Sequence, residues 1–439
     1  MASVIGTLTR QWGLPAIIWP ANAILVGMLL RFRQYSSSLV FAAAFLGFYT
    51  ADLVHGRVVS TALSLSVANM LEAIIIYVLY VKIPSLDARL TTPTAILHLF
   101  FVSTLGALAG SILGAVTFKI QFGDHFFITF FYWFAGEILS SVTILPVLLT
   151  SPKLSDYHLK HLKFNIRQLL PLITLVISIS MMFIVSGPGA IAFPVMPLIW
   201  CALSYNFFIN AILVMTLAII LNSAEALHLL PFFTQNHFAV DTVSFRIGIT
   251  MLSLAPLSVA SINEARNELI RKLDYSVNHD HLTGILSRKA LEQQGTRYFN
   301  SPRIEHPITL MMLDLDYFKQ INDQYGHQSG DQLLVHFTQI VAKLIRTQDL
   351  FGRMGGEEFA IVLSDLSYHN ALDIAERIRG SLNQQTIHLE NNQQITITVS
   401  IGLVYLSRST QCSWDQALGR ADKALYRAKA TGRNQVCVW

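Results

Sequence analysis

Apolar and polar positions divide the chain into two parts that meet near residue 262. Up to about Ser261 the chain is a succession of apolar stretches, whereas from Asn263 onward it has the pattern of a soluble α/β domain. A membrane-crossing helix needs about 20 predominantly apolar residues. The runs that reach or approach this length are 14–30, 38–54, 61–81, 95–118, 126–150, 169–186, 190–206, 208–229 and 243–262.

The first, second and seventh of these runs are short, and Pro194 and Pro197 indicate a broken or re-entrant segment in the seventh. We therefore predict a polytopic α-helical membrane domain of about eight or nine helices in residues 1–262.

The composition agrees with this division. Of the 439 residues, 53% are hydrophobic and only 13% are charged, about half the usual charged share of a soluble protein. The net charge of +4 is modest and the basic residues cluster at helix ends, so no nucleic-acid polymer is predicted as a partner. Cys201, Cys412 and Cys437 lack the spacing of metal ligands, which favours a reduced cytosol around the second part.

The basic residues between the runs indicate the orientation, because cytoplasmic loops carry an excess of Lys and Arg. One side of the predicted domain has Arg31, Arg33, Lys82, Arg89, Lys153, Lys160, Lys163, Arg167, Arg266, Arg271 and Lys272. The other side has Arg10, Arg57 and Lys119. We therefore predict a cytoplasmic C-terminal part and an outer N-terminus. So short an outer tail raises the hypothesis that a preceding helix is absent from this version of the chain.

Several polar residues lie inside the predicted spans: Asn69, Glu72, Glu137, Asn222 and Glu225. Carboxyl groups inside a membrane are costly, so they normally face a bundle interior and mark a site or an internal network. Glu72 and Glu137 are candidates for sensing or ligand contact, with structural hydrogen bonding between helices as the alternative. Glu225 lies near a helix end, where hydration is the simpler expectation.

Three motifs of the membrane part resemble the first type of MASE membrane sensor, which occurs in bacterial signalling enzymes. They are Trp19-Pro20-Ala21-Asn22, Ala68-Asn69-Met70-Leu71-Glu72-Ala73, and Trp133-Phe134-Ala135-Gly136-Glu137 with Leu145-Pro146. The resemblance covers most of residues 1–262 and implies a sensor that regulates an attached enzyme.

A run of acidic residues and glycines dominates the second part: Arg353-Met354-Gly355-Gly356-Glu357-Glu358-Phe359. Its apolar flanks predict two strands joined by a tight turn that carries the carboxylates. A buried-strand pattern, Ile308 to Leu313, leads into Asp314-Leu315-Asp316. On adjacent strands, Asp314 and Glu357 could hold Mg²⁺ with help from the Leu315 carbonyl. The simpler alternative is a solvated acidic hairpin.

Helical segments surround these carboxylates. Residues 317–327 predict a short helix that ends at Gly326, and Gly330-Asp331 is expected to open the next helix. Residues 421–429 form a later helical run, followed by Gly432-Arg433-Asn434. Lys429 and Arg433 are placed to be phosphate-directed cations.

These residues together resemble the GGDEF family of diguanylate cyclases over about residues 275–439. The opening motif departs from the family at Ser287, where Asn is usual. The matching motifs are Asp280-His281-Leu282-Thr283-Gly284, Asp314-Leu315-Asp316, Phe318-Lys319, Asn322-Asp323, Gly326-His327, Gly330-Asp331, Arg353 to Phe359, Val399-Ser400-Ile401-Gly402, Ala424-Leu425-Tyr426, Lys429 and Gly432-Arg433-Asn434.

The resemblance implies an α/β, nucleotidyl-cyclase-like domain with a mostly antiparallel central sheet flanked by helices. It implies that Asp314, the Leu315 carbonyl and Glu357 bind metal, with two Mg²⁺ ions per site or Mn²⁺ in their place. Glu357 and Lys319 would be catalytic, with Glu357 deprotonating the ribose 3′-hydroxyl. The implied substrate-binding residues are Phe318, Asn322, His327, Asp331, Gly355, Gly356, Lys429 and Arg433.

The implied reaction joins two GTP into cyclic di-GMP and releases two pyrophosphates. Each domain binds one GTP, so homodimerisation would be part of the mechanism. Arg346-Thr347-Gln348-Asp349 matches the position of the family's inhibitory product site, with a surface ion pair as the alternative. The resemblance also implies a bacterial inner (plasma) membrane protein whose cyclase domain is cytoplasmic.

We therefore predict a membrane sensor in residues 1–262, a linker helix in 263–278 and a GGDEF domain in 279–439. Two copies of the linker could pair as a brief coiled coil, or the linker could be a solvated helix. Three alternatives to a regulated cyclase are a non-catalytic cyclic di-GMP receptor, a transporter with a regulatory cyclase, and a cyclase with a different nucleotide choice. The retained Asp314, Lys319 and Asp331 argue against the receptor and the altered nucleotide choice.

Overall fold

A computed structural model describes residues 19–32, 37–83, 90–152, 166–185, 187–227, 229, 238–299, 307–384, 387–388, 394–407 and 412–439. The chain forms two compact units, Met1–Glu268 and Leu269–Trp439. Several basic residues used to predict the orientation lie outside the described residues: Arg10, Arg33, Arg89, Lys153, Lys160 and Lys163.

The first unit, called here the membrane unit, is helical. Its helices are α1 Ala21–Arg31, α2 Ser37–Val54, α3 Val59–Lys82, α4 Ala95–Phe122, α5 Phe126–Thr150, α6 Ile166–Val185, α7 Val195–Ser204, α8 Phe207–Ala226 and α9 Phe238–Asn278. Within the described residues, six helices are long and apolar enough to cross a membrane, and three further apolar helices are shorter. The predicted polytopic helical architecture is confirmed.

The seventh apolar run is broken, as its prolines predict. A 3₁₀ helix, Pro188–Ala192, precedes the ten-residue helix α7. The last run and the predicted linker form one helix, because α9 extends over 41 residues and accommodates Pro256 in its interior.

Small residues let α3 and α4 approach each other closely. A Cβ atom at Gly106 would collide with the Ile76 side chain, and one at Gly110 would lie 3.1 Å from Glu72 Oε2. A Cβ atom at Gly114 would overlap the Trp133 ring. Close packing through small residues is a usual source of helix association in membranes, where burial of apolar surface offers little net gain.

The second unit, named the cyclase unit after the family that its sequence resembles, has a five-stranded mixed sheet in the order β2-β3-β1-β6-β7. Its strands are β1 Ile308–Leu315, β2 Leu350–Gly355, β3 Glu358–Ser364, β6 Val399–Leu406 and β7 Val436–Val438. Only the β6–β7 pair is parallel among these pairs. A separate hairpin pairs β4 Ile387–His388 with β5 Gln394–Ile395.

Helices cover both faces of the sheet. Their bounds are α10 Arg288–Phe299, α11 Phe318–Tyr325, α12 His327–Leu344, α13 Tyr368–Gln384 and α14 Trp414–Ala430. Met311 and Leu313 of β1 pack in the core of α12 and α13, whereas Leu310 and Met312 pack in the core of α10 and α14. All eight positions of β1 are therefore buried, which explains why its residues are apolar except for Thr309 and Asp314.

The predicted start of α12 at Gly330 is wrong. The helix begins at His327, directly after Gly326, whose φ of 84° separates it from α11. Gly330 lies inside the helix, and the position needs glycine because a Cβ atom there would overlap Asn322 Oδ1.

Candidate functional site

The C-terminal end of β1 and the β2–β3 turn place the predicted metal carboxylates together. Asp314 lies opposite Glu358 in the β1–β3 register. The main-chain N–H of Leu315 donates to the carbonyl oxygen of Glu357 at 3.4 Å. The arrangement brings Asp314, the Leu315 main chain and Glu357 to one edge of the sheet.

Asp314 is only 6% exposed and pairs with Lys429, whose Nζ lies 2.6 Å from Asp314 Oδ2. Burial raises the pKa of Asp314 to about 6, although Lys429 acts in the opposite direction and the charges of Glu357 and Glu358 raise it further. Lys429 was predicted to face phosphate; in this structure it neutralises a carboxylate at the same edge.

The donor set suits a hard divalent cation. Asp314 and Glu357 contribute carboxylate oxygens and Leu315 a main-chain carbonyl, which are the ligands Mg²⁺ prefers. Among the described residues, no group of three or more His, Cys, Asp or Glu side chains is placed to hold a metal ion. A site here would therefore rely on main-chain, water or phosphate oxygens to complete its ligands.

Arg353 holds the turn that carries Glu357. Its Nε and Nη2 donate to the carbonyl oxygen of Gly356 at 2.9 and 2.7 Å, and its Nη1 donates to Asp280 Oδ1 at 3.1 Å. Gly356 has a φ of 52° and Gly355 one of 154°, so a side chain at either position would strain the turn. Arg353 and Asp280 belong to motifs that resemble the family, but no pattern in the sequence indicates that they are partners.

The predicted guanine-binding residues lie around the junction of α11 and α12. Asn322 Oδ1 is buried and has no hydrogen-bond partner within the described residues, and it lies against Gly330. Asp331 and His327 are exposed on the first turns of α12. Phe318 is buried, with its ring 3.1 Å from the position of a Cβ atom at Gly330. An unpartnered acceptor beside exposed polar groups suits a nucleobase edge.

The structure gives Asp316 a role that no sequence pattern identifies. Its carboxylate accepts hydrogen bonds from Ser400 Oγ and Thr398 Oγ1, both at 2.7 Å, and from the main-chain N–H of Asn434 at 3.0 Å. It therefore ties the β1 end to β6 and to the loop of Arg433.

The cations predicted to face phosphate lie in different surroundings. Arg433 stacks on Tyr317, with its guanidinium carbon 4.6 Å from the ring centre. Both residues have positive φ values, 63° and 58°, which a non-glycine residue adopts only at a cost. Lys319 is exposed on the first turn of α11.

The predicted product site lies between α12 and β2. Asp349 Oδ2 accepts a hydrogen bond from the main-chain N–H of Arg346 at 2.8 Å, while Asp349 Oδ1 is buried without a hydrogen-bond partner among the described residues. Burial raises the pKa of Asp349, although hydrogen bonds from the main chain and the charge of Arg346 oppose it. The Arg346 side chain is exposed.

The membrane unit brings Glu72 and Glu137 together with two asparagines. Asn22 Nδ2 donates to Glu72 Oε2 at 3.0 Å, lies 3.2 Å from Asn69 Oδ1 and 3.4 Å from Glu137 Oε2. Trp133 Nε1 donates to Glu137 Oε1 at 3.1 Å. The four side chains are 0–3% exposed. Asn22 belongs to a motif that resembles the sensor family, but nothing in the sequence assigns it to this cluster.

The expectation that Glu225 is hydrated is wrong. Glu225 is 2% exposed, accepts a hydrogen bond from Thr242 Oγ1 at 2.5 Å, and has Arg246 Nε 3.8 Å from its Oε2. Arg246 is itself 1% exposed and donates to Tyr132 Oη at 3.3 Å. Thr242 and Arg246 lie one turn apart on α9 and cover the Glu225 carboxylate. The position of Glu225 near the end of α8 does not reveal this contact with another helix.

Comparison with known proteins bears on both units. The family model "Diguanylate cyclase, GGDEF domain" matches residues 277–435. The protein named probable diguanylate cyclase DgcF of Escherichia coli O157:H7 is 27% identical over 427 residues, which are 96% of this chain and 88% of the relative. The protein of the same name from Escherichia coli strain K12 is 30% identical over 313 residues, which are 69% of this chain and 95% of the relative.

A solved structure is similar in the cyclase unit. The crystal structure of the GGDEF domain of DgcB from Caulobacter crescentus in complex with c-di-GMP has 30% sequence identity. It covers 37% of this chain and 96% of that chain, with a TM-score of 0.35.

Proposed function

The chain belongs to the GGDEF family of diguanylate cyclases, and we propose that its membrane unit and a product site regulate the synthesis of cyclic di-GMP. The enzyme joins two GTP molecules and releases two pyrophosphates. The observation that carries the assignment of the active site is the meeting of Asp314, Glu357 and Lys429 at one edge of the sheet.

Asp314, the Leu315 carbonyl and Glu357 would hold Mg²⁺, in two positions per site, and Mn²⁺ would substitute. When bound, the metal neutralises charge on the GTP phosphates and lowers the cost of the attacking oxyanion. Glu357 takes the proton from the ribose 3′-hydroxyl, and the oxygen then attacks the α-phosphate of the second GTP as pyrophosphate leaves. Lys319 stabilises the charge that develops on that phosphate.

Asn322 and Asp331 would recognise guanine, because the Asp331 carboxylate accepts from N1–H and the exocyclic amine together. His327 and Phe318 complete this end of the site. Gly355 and Gly356 let the substrate approach the main chain of the turn. Lys429 leaves Asp314 for phosphate when the nucleotide binds, and Arg433 joins it there.

The reaction requires two cyclase units, since each holds one GTP and both 3′-hydroxyls must attack. A homodimer with two-fold symmetry satisfies this requirement. The linker, residues 263–278 of α9, directly precedes the GGDEF domain in sequence. Pairing of two such helices would therefore set how the two active sites face each other.

The membrane unit would be a MASE-type sensor of the first type, with Glu72 and Glu137 as its sensing residues. We place the protein in the bacterial inner membrane with the cyclase unit in the cytoplasm. Arg346 and Asp349 would bind cyclic di-GMP and inhibit the enzyme. The exposed Arg346 guanidinium is available to grip a guanine or a phosphate, and Asp349 positions the main chain around it.

Nucleotide analysis of the full-length protein in membranes with GTP and Mg²⁺ tests the central assignment. We expect cyclic di-GMP from the parent and none from Glu357→Ala. The matched control is Glu292→Ala, which removes an exposed carboxylate of the same unit that pairs with Arg288 at 2.9 Å. Equal product from Glu357→Ala and Glu292→Ala would refute the catalytic role of Glu357.

A non-catalytic receptor would give a different result in the same experiment. It would bind cyclic di-GMP and form none with either variant or with the parent. Artificial dimerisation of the full-length protein distinguishes it from a cyclase that its membrane unit holds inactive, because only the cyclase then gains activity.

A further inference from the structure

Four buried side chains of the membrane unit form a carboxylate–amide cluster: Asn22, Asn69, Glu72 and Glu137. They come from α1, α3 and α5, so three helices meet at the cluster. Each is 0–3% exposed. The cluster is enclosed by small and aromatic residues, since Gly110 lies against Glu72 and Trp133 donates to Glu137.

Three oxygen atoms converge on one nitrogen of this cluster. Asn22 Nδ2 lies 3.0 Å from Glu72 Oε2, 3.2 Å from Asn69 Oδ1 and 3.4 Å from Glu137 Oε2. An amide nitrogen carries only two hydrogens, so it cannot satisfy three acceptors at full strength. Asn22 Nδ2 therefore lies at the centre of three oxygen atoms and can donate full hydrogen bonds to only two of them.

Two further polar atoms of the cluster have no hydrogen-bond partner within the described residues. They are Glu72 Oε1 and Asn69 Nδ2, both fully buried. A buried polar atom without a partner costs free energy, because it loses its hydrogen bonds to water and gains none in the protein. Neither carboxylate receives a hydrogen bond from Lys, Arg or His in the described part of the chain; their donors are the Asn22 amide and the Trp133 indole.

The charge of the cluster needs a counterion or a proton. Glu72 Oε2 and Glu137 Oε2 both contact Asn22 Nδ2, so the two carboxyl groups lie close together. Two ionised carboxylates in a membrane interior match the charge of one divalent cation. Their oxygens and the carbonyl oxygens of two amides are the ligands of hard cations.

We propose that the carboxylate–amide cluster binds one divalent cation of the oxygen-preferring class, namely Mg²⁺, Mn²⁺ or Ca²⁺. Glu72, Glu137 and Asn69 Oδ1 already converge on one point. A half-turn of the Asn22 amide replaces its nitrogen there with Oδ1 and completes four oxygen ligands. The proposal rests on the sensing role given above to Glu72 and Glu137, and it names the ligand.

The test counts bound Mn²⁺ on the full-length protein in lipid nanodiscs by electron paramagnetic resonance. The cyclase carboxylates also attract metal, so the measurements use a background with Asp314→Asn and Glu357→Gln. We expect one bound Mn²⁺ per chain in this background, and at least tenfold weaker binding after Glu72→Gln. Asp52→Asn is the matched control, because Asp52 is another buried acid of the membrane unit and lies outside the cluster. It should leave Mn²⁺ binding unchanged.

A second variant keeps the test decisive if Glu72→Gln fails to fold. Asn22→Asp adds a carboxylate at the point where the three oxygen atoms converge, and it should strengthen Mn²⁺ binding at least tenfold. No Mn²⁺ bound in the background, or binding that survives Glu72→Gln, would overturn the proposal.

Cation binding and regulation are separate outcomes. Mn²⁺ binding is measured on chains that cannot make cyclic di-GMP, so it stands or falls independently of the cyclase assignment. If the cluster binds Mn²⁺ but the cation leaves cyclic di-GMP output of the parent unchanged, the sensing role fails while the site remains.

Discussion

Arg353 and Asp280 form an ion pair, with Arg353 Nη1 3.1 Å from Asp280 Oδ1 and both side chains about 15% exposed (14% and 16%). The pair joins the first turn of the cyclase unit to the strand that leads into the acidic turn. The other nitrogens of the same guanidinium hold the carbonyl of Gly356, next to Glu357. The position of a proposed catalytic carboxylate thus depends on a residue that contacts neither metal nor substrate in the proposed site.

Arg353→Ala should lower cyclic di-GMP synthesis about tenfold or more, because the turn that carries Glu357 loses its hydrogen bonds from the guanidinium. A factor of ten corresponds to a loss of about 1.4 kcal/mol in transition-state stabilisation. It should also destabilise the cyclase unit by about 1.5–3 kcal/mol, the usual value of a hydrogen bond to a charged group. Initial rates and thermal unfolding of the full-length protein provide the two readouts. Arg288→Ala, which removes an exposed ion pair of the same unit, is the control and should change neither.

The same ion pair should make stability depend on pH. Burial alone would raise the pKa of Asp280, but hydrogen bonds from Thr283 and Arg353 and the charge of Arg353 outweigh it, so the pKa is lowered. Such a carboxyl group stabilises the fold above its unfolded pKa of about 3.9, and the stabilisation is lost as pH falls through the lower folded pKa. Below about pH 4, the melting temperature of the parent should therefore fall more steeply than that of Asp280→Asn. Parallel curves would contradict the assignment.

Local patterns were sufficient to predict much of the cyclase unit. The apolar run from Ile308 to Leu313 is buried on both faces, so its continuity alone identifies a central strand. The Gly355-Gly356 turn adopts backbone conformations that favour glycine, which is why that pair predicts a hairpin tip. By contrast, the start of α12 was misplaced because close packing of Asn322 against Gly330, rather than a turn, requires the glycine there.

Contacts between distant segments were not predictable from a single sequence. Asn22 lies 115 positions before Glu137, and Arg246 lies 114 positions after Tyr132, yet each pair is in hydrogen-bond contact. Spacing along one helix carries no information about such partners. The buried acids could therefore be identified as candidates, while their amide and cationic partners needed the packing of three or more helices.

Gly330→Ala should raise the KM for GTP. The added methyl group overlaps Asn322 Oδ1 and crowds the Phe318 ring, so the proposed guanine acceptor must move. Initial rates at varied GTP concentrations measure the effect. Gly380→Ala is the matched control, since Gly380 is in α13 and a Cβ atom there meets nothing within 4 Å. That substitution should leave the KM unchanged and stabilise the helix by about 0.5–1 kcal/mol. An unchanged KM in Gly330→Ala would separate Asn322 from guanine binding.

Glu225→Gln should destabilise the membrane unit by about 3–5 kcal/mol, because it leaves the buried Arg246 charge without its carboxylate. Thermal unfolding of the full-length protein in detergent measures the loss. The double variant Glu225→Gln with Arg246→Met removes both charges and should be more stable than the single variant. Equal stability of the single variant and the parent would show that Arg246 does not depend on Glu225.

Arg346→Ala should relieve inhibition by cyclic di-GMP while leaving the initial rate unchanged. Arg346 suits this test better than Asp349, because its guanidinium is exposed, whereas the 9%-exposed Asp349 accepts a main-chain hydrogen bond and its loss would disturb the turn. Initial rates at rising product concentration should show at least a tenfold higher half-inhibiting concentration. Arg297→Ala, another exposed arginine of the cyclase unit, should match the parent. Unchanged inhibition in Arg346→Ala would exclude this site as the one that binds the inhibiting product. Asp349 would then be only a structural residue of the turn.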